Sequence, residues 1–370
     1  MKPIAVVGCG KVGRTIVELL ASTGDYQLTA IDPAQPALEA LAVHPRVQRR
    51  LLLPGTLARQ LEGQFAVVNA SPFHATREIA TAAAGAGVHY LDLTEDVAST
   101  QAVRVLAAGA ATSFIPQCGL APGFISILGM DLAGRFDVLD SLRLRVGALP
   151  QFPSNALGYN LTWSVEGVIN EYLRACEAIC EGRRIEVPAL EEIEHFSLEG
   201  VTYEAFNTSG GLGSLVDTLA GRVQTLNYRT IRYPGHRDIM KLLLKDLRLA
   251  ERPDQLRQIL EFALPGTDQD VVVIFATATG QRDGRHWQES RAIRVPAQPF
   301  AGRWRTAIAL TTAASVCATL ELLVDGEIGG GGILRQEQIP LERFLTNRFG
   351  AVYAQGARAV PRTTPVATAA

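Results

Sequence analysis

Residues 4 to 32 carry, in unbroken succession, an apolar run, a glycine turn, an amphipathic helix, a second apolar run and an acid. Ile4-Ala5-Val6-Val7 leads into Gly8-Cys9-Gly10-Lys11-Val12-Gly13. A helix with Ile16, Leu19 and Leu20 on one face follows, then Leu28-Thr29-Ala30-Ile31 and Asp32. This order constrains the chain to a strand–helix–strand unit with parallel strands. Gly8 allows the tight turn, Gly10 lets the backbone approach a pyrophosphate, and Gly13 lets the helix pack closely on the strand. The pyrophosphate would rest on the free N–H groups of the first helical turn, at Lys11 and Val12. Asp32 lies 19 residues past Gly13, where a carboxylate can accept from the adenosine ribose hydroxyls. The same charge repels a 2′-phosphate and no arginine follows it, so NAD is expected rather than NADP. The competing reading is a structural glycine turn in another α/β protein.

Strand and helix signals alternate through about residue 120. Ala66-Val67-Val68-Asn69 is a buried strand, followed by a helix to about Ala84. His89 to Leu93 is another strand, then a helix spans about Thr100 to Ala110, and Ser113 to Pro116 returns to strand. The expected fold is α/β, a Rossmann-type doubly wound parallel sheet. Ligands of such sheets bind beyond the carboxyl ends of the strands. Ala70, Ser71, Pro72 and Phe73, then Asp92, then Gln117 and Cys118 are therefore candidate contacts, with Cys118 among those expected at the cofactor.

After Gly123 the pattern changes. Leu142 to Val146 alternates with period two, Ser164 is a plausible N-cap for a helix over about 165–181, and Gly182 would end it. Strand-like runs at 185–187, 193–196, 223–228, 271–278 and 288–295, with helices near 237–247 and 253–263, describe an α+β insertion with a largely antiparallel sheet. The dinucleotide domain is then 1–122 plus 300–370, and the inserted domain, for substrate binding and dimerisation, is 123–299. Residues after about Gly356 are small and polar and are expected to fray.

A formal net charge of −2 gives no reason to expect nucleic acid or an anionic membrane as partner. The five cysteines are scattered and odd in number, and no basic leader precedes the first strand, so the expectation is a reducing cytoplasm. Cys176 and Cys180 fall on the apolar stripe of the 165–181 helix and read as core thiols, not a metal pair. The six histidines have no ligand spacing, and no metal is expected. Thr306 to Val324 is almost uncharged and approaches membrane-spanning length. Its Ala and Thr content and lack of a basic flank favour a buried helix packed on a sheet.

The segments Cys118-Gly119-Leu120-Ala121-Pro122-Gly123, Gly147-Ala148-Leu149-Pro150-Gln151, Trp163 to Tyr172, Glu204 to Gly211 and Arg232-Tyr233-Pro234-Gly235-His236 resemble the saccharopine dehydrogenase-like family. They resemble most its branch that oxidises the lysine side chain. The likeness spans roughly residues 1 to 350. It implies NAD-dependent oxidation of a C–N bond, an amino-acid substrate and a homodimer or higher homo-oligomer. For lysine at its ε-amine the products would be aminoadipate semialdehyde or its cyclic imine, ammonia and NADH. Trp163 and Ala148 depart from the family pattern and bear on the substrate pocket. The alternatives are a reductive condensation, as in saccharopine or carboxynorspermidine formation, and a non-catalytic NAD-binding sensor.

Alternation along 228–232 puts Tyr228, Thr230 and Arg232 on one face. Arg232 can clamp a carboxylate, Thr230 can receive the α-amino end, and Tyr228 and His236 are the candidate proton carriers. The alternative is an exposed edge strand with a histidine capping the next helix. Glu166, Asn170 and Glu171 are offered for holding an ammonium, and Glu166 is kept because Asn170 and Glu171 lie off the apolar stripe. The competing reading is of first-turn acids that favour the helix dipole, and Trp163 is a candidate substrate contact. Cys118 has no histidine near it in sequence and is expected to pack against the cofactor instead of acting as a nucleophile. His74 and His89 are possible proton carriers or structural residues.

Overall fold

The computed structural model describes residues 1–162 and 164–355. Trp163 and the tail expected to fray lie outside the described residues. The first sheet contains β1 (Lys2–Val7), β2 (Tyr26–Asp32), β3 (Val47–Leu51), β4 (Ala66–Asn69), β5 (His89–Asp92), β6 (Ser113–Ile115) and the late short strand Gly332–Ile333. Their order is Gly332–Ile333, β6, β5, β4, β1, β2, β3, and every pairing is parallel. The order turns back on itself at β1, with β4 on one side and β2 on the other, which opens a crevice at the strand ends. Ile4, Ala5 and Val6 are 0% exposed because helices cover both faces of a parallel sheet.

The second sheet contains β7 (Val138–Pro150), β8 (Cys176–Cys180), β9 (Arg183–Val187), β10 (Glu194–Leu198), β11 (Val201–Asn207), β12 (Val223–Arg232), β13 (Asp270–Arg282) and β14 (Arg285–Pro296). Its order is β10-β11-β12-β7-β13-β14, with the β8–β9 hairpin joined to β12. One pair, β7 with β12, is parallel and the rest are antiparallel. The sheet is therefore mixed.

The helix expected over 165–181 stops early. Ser164 caps it through Gly167 N–H at 3.2 Å, but the helix is Val165–Leu173, and Cys176–Cys180 is strand. The apolar spacing of Cys176, Ala178 and Ile179 fits either period. The pairing of Cys180 with Arg183 leaves Glu181-Gly182 as a two-residue turn with both φ positive (52° and 74°), the geometry that favours a hairpin. Cys176 is buried, whereas Cys180 is exposed and is no core thiol.

The apolar helix Ala307–Val324 lies inside the protein, packed on the helix Lys11–Thr23 and on β13. Its buried start is capped from a distance. The Asp270 carboxylate accepts from Ala307 N–H at 2.5 Å and Ile308 N–H at 3.0 Å, bonding the second sheet to this core helix.

Candidate active site

A cleft of about 840 Å³ opens between the ends of β1, β2 and β4 on one side and β7, β12 and the helix Val165–Leu173 on the other. On the first side, the helix Lys11–Thr23 begins at Gly10 with no side-chain cap, so its first N–H groups face the cleft. Gly13 works by close approach: a Cβ there would stand 1.7 Å from the Gly8 carbonyl oxygen. At Gly10 a Cβ would have no atom within 4 Å, so the turn is open where an anion would lie. Asp32 lines the cleft with its carboxylate held by Cys9 N–H (2.6 Å) and Ala34 N–H (2.8 Å). Lys11 and Val12 line it too, as do Ala70, Ser71, Pro72 and Phe73. Lys11 Nζ also reaches across to the Thr162 carbonyl at 3.3 Å. These groups fit a dinucleotide, with an uncapped helix start for the pyrophosphate and a positioned carboxylate for the ribose.

Three expected cofactor contacts do not reach the cleft. Gly13 is covered by the turn it packs against. Asp92 is 0% exposed and its carboxylate is consumed by Gln117 N–H (2.8 Å), Thr94 N–H (3.1 Å) and the Tyr90 hydroxyl (2.9 Å). Burial nevertheless pushes its pKa up to about 6. Cys118 is 0% exposed, with its thiol between the Ile115 carbonyl and the Gln336 amide. The following residues, Gly119 to Pro122, line the cleft in its place.

On the second side, Tyr228, Thr230 and Arg232 all line the cleft. The edge-strand alternative fails because β12 lies between β11 and β7. Arg232 is 2% exposed and has no carboxylate within ion-pair distance among the described residues. Its Nε donates to the Tyr172 hydroxyl (3.0 Å), and Nη1 donates to Thr230 Oγ1 (3.2 Å) and the Ile231 carbonyl (2.8 Å).

His236 stands behind this arginine and does not line the cleft. It is 1% exposed, with Nδ1 on the Leu157 carbonyl and Nε2 on the Tyr172 hydroxyl, both at 3.0 Å. A carbonyl can only accept, so Nδ1 carries the proton and Nε2 accepts from Tyr172. Burial, reinforced by the Arg232 charge, drops the imidazole to about 3. His236 is therefore corrected from a proton carrier to a positioning residue: Leu157, His236, Tyr172 and Arg232 form one relay that fixes the guanidinium. His89 is likewise structural, its Nδ1 accepting from Ser113 N–H at 2.9 Å, whereas His74 lines the cleft.

The acids are the main addition. Glu166 lines the cleft, and so do Glu95 and Glu171. Glu171 is 9% exposed and its carboxylate makes no hydrogen bond among the described residues. Burial pushes it up to about 8, against the lowering effect of Arg232. Burial also raises Glu95, with the charges of Asp96, Asp92 and Glu166 adding to the effect. The sequence offers Glu171 beside Glu166 but sets it aside for lying off the apolar stripe, whereas the fold buries it against the cleft.

Fold and site together define a nicotinamide-dinucleotide-binding oxidoreductase. Residues 4–113 match the family described as the saccharopine dehydrogenase NADP binding domain, and residues 119–350 match the saccharopine dehydrogenase C-terminal domain. The chain belongs to the saccharopine dehydrogenase family, whose chemistry is that of amino-acid dehydrogenases. Among solved structures it is similar to the L-Glu-forming saccharopine dehydrogenase of Saccharomyces cerevisiae. There the TM-score is 0.74 at 18% identity, covering 91% of this chain and 94% of that one, a likeness of fold. An amine dehydrogenase from Mycobacterium smegmatis is also similar (TM-score 0.47, 12% identity, 92% and 96% covered). So is the DAP dehydrogenase of C. glutamicum (TM-score 0.48, 12% identity, 96% and 98% covered). Both are too distant to carry an argument.

Proposed function

We propose that the chain is an NAD-dependent lysine 6-dehydrogenase, which oxidatively deaminates L-lysine at its ε-amine. The observation that carries this reading is the charge inventory of the substrate side: one buried, unpaired guanidinium, Arg232, against three carboxylates, Glu95, Glu166 and Glu171. Lysine brings one carboxylate and two amines, which is the complement of that set. A condensation product such as saccharopine carries three carboxylates and would need more cations. Arg229, which lies next to this face in sequence, is instead engaged by Glu192 (2.9 Å) and Glu194 (3.0 Å) and does not line the cleft. A sensor would have no use for a buried guanidinium without a carboxylate partner, because a buried charge whose partner is missing costs roughly 3–5 kcal/mol.

Arg232 holds the substrate carboxylate, and Thr230 and Glu166 receive the α-amino end. An amine gives up hydride only when neutral, and a lysine ammonium titrates near about 10.4. Glu171, raised into the neutral range, takes that proton. The bound nicotinamide supplies the hydride acceptor. Burial pushes the Tyr228 hydroxyl far above its ordinary range, so it keeps its proton and acts as a hydrogen-bond donor and not as a base. Asp32 supports NAD over NADP through its negative charge at the ribose position. Supplying a panel of amines with NAD and following the NADH band tests the reaction. With ¹⁵N at the ε position, the label must appear in the released ammonia. No NADH with lysine, or ammonia from the α position, would overturn the assignment.

A further inference from the structure

Behind the cleft lies a second cavity of about 250 Å³, and Tyr228 is the residue that lines both. Gly211 packs closely on Tyr228, so that a Cβ at 211 would stand 2.3 Å from its ring carbons. The cavity is polar inside. Thr208 lines it, is 2% exposed, and its hydroxyl has no hydrogen-bond partner among the described residues. Gln117 lines it as well, held at φ 64° by the bond from its N–H to Asp92. A buried hydroxyl without a partner costs about 1–3 kcal/mol unless a small polar molecule satisfies it, and about 250 Å³ has room for several waters at roughly 30 Å³ each.

The charged side chains around this cavity pair with one another. Arg104 and Arg184 each pair with a separate oxygen of Asp217 at 2.8 Å, and Arg184 also pairs with Glu177. Two guanidiniums and two carboxylates balance in formal charge, which favours a neutral occupant. What remains is a neutral, hydrogen-bonding molecule small enough to pass an aromatic ring.

We infer that this cavity is the passage for ammonia leaving the reaction centre and for ammonia entering in reverse. The inference rests on the deamination proposed above. In that reaction the substrate carbon, once oxidised to an iminium, is attacked by water or by the lysine α-amine. A new C–O or C–N bond forms, and a proton of the incoming group moves to the ε-nitrogen. The bond to that nitrogen then breaks, its electron pair leaving with nitrogen as NH₃ while the positive charge stays on the carbonyl or cyclic imine until its proton passes to solvent. With a dinucleotide and an amino acid in the front cleft, the Tyr228 that both linings share gives nitrogen a way out at the back, over Thr208.

The test places a plug at the outer mouth. Gln101 is exposed on the helix Val97–Ala107 and lines this cavity but not the front cleft that holds Arg232, Glu171 and Asp32. Gln101→Trp should lower kcat/KM for ammonium about tenfold in the reductive direction, while the calorimetric lysine affinity and the KM for NADH stay at wild-type values. A smaller substitution, Gln101→Ala, should leave kcat/KM for ammonium unchanged or raise it. Wild-type turnover with an unaltered ammonium kcat/KM in a folded Gln101→Trp protein, its tryptophan shown buried by fluorescence, would overturn the passage alone. Absence of ammonia release from lysine in the wild type would overturn the deamination reading and the passage with it.

Discussion

The backbone N–H of Cys9 donates to Asp32 Oδ2 at 2.6 Å, tying the glycine turn to the end of the second strand. The Ala34 N–H takes the other oxygen, so the carboxylate is fixed in the cleft before any ligand arrives. Asp32→Ala should weaken NAD binding and narrow the gap to NADP, because it removes both the ribose acceptor and the charge that repels a 2′-phosphate. Titrating each dinucleotide against both proteins checks this. A wild type that binds NADP better than NAD would contradict it.

Arg232→Ala should raise KM for lysine strongly and leave KM for the matching simple alkylamine nearly unchanged. A charge-assisted bond is worth about 1.5–3 kcal/mol, so the loss is roughly tenfold to a hundredfold. Arg232→Lys should recover little, since an ammonium cannot meet Tyr172, Thr230 and a substrate carboxylate in one plane. An equal effect on both amines would place the carboxylate elsewhere.

Glu171 gives a pH dependence of defined sign. A carboxyl raised to about 8 in the fold prefers its proton there. It therefore weakens stability progressively as pH rises from its unfolded value, near about 4.3, towards about 8. Glu171→Gln should abolish that loss, so the variant gains in melting temperature over the wild type as pH is raised across this window. It should also depress kcat at least tenfold and remove a rising limb near pH 8 from the rate profile. A variant with wild-type kcat would remove Glu171 from the chemistry.

The buried His236 acts in the opposite sense. With its pKa lowered to about 3, its neutral form stabilises the fold fully above about 6.5, and that contribution is lost as pH falls from there towards about 3. His236→Gln should flatten the acid side of the melting curve. It should raise KM for lysine, by loosening Tyr172 and Arg232, without shifting the limbs of the kcat profile. A kcat profile that loses a limb would restore His236 as a proton carrier.

Asp270→Ala strips two N–H groups of their acceptor at the start of a buried helix. A lost cap costs about 0.5–2 kcal/mol, and denaturant unfolding should report a loss in that range, with Asp270→Asn intermediate. An unchanged midpoint would mean that solvent reaches the helix start.

The nucleotide half was legible because its determinants are local. Gly8, Gly10, Gly13 and Asp32 act through backbone geometry within one strand–helix–strand unit, and the period of the apolar residues names its elements. Alternation likewise sufficed to put Tyr228, Thr230 and Arg232 on one face. Where one pattern fits two periods, sequence could not decide. Cys176 to Cys180 reads equally as helix or strand, and hydrogen bonding to β9 and β12 made it strand. The protonation roles lay further from reach, because they depend on which charges are desolvated together. Asp92 and Cys118 follow strands as a ligand contact should, yet their polar atoms are spent on neighbours distant in sequence. His236 looks reactive beside Arg232 in the chain, but folding seals it behind Tyr172. Glu171 looks like a solvated helix acid until β12 brings a guanidinium and a phenol against it. Sequence alone determined the parallel sheet, its glycine turn and the acid that ends its second strand, since these are properties of short contiguous segments. Only the tertiary structure decided which titratable groups face the substrate, since a pKa and a vacant hydrogen-bond site are set by burial among residues that the chain brings together from far apart.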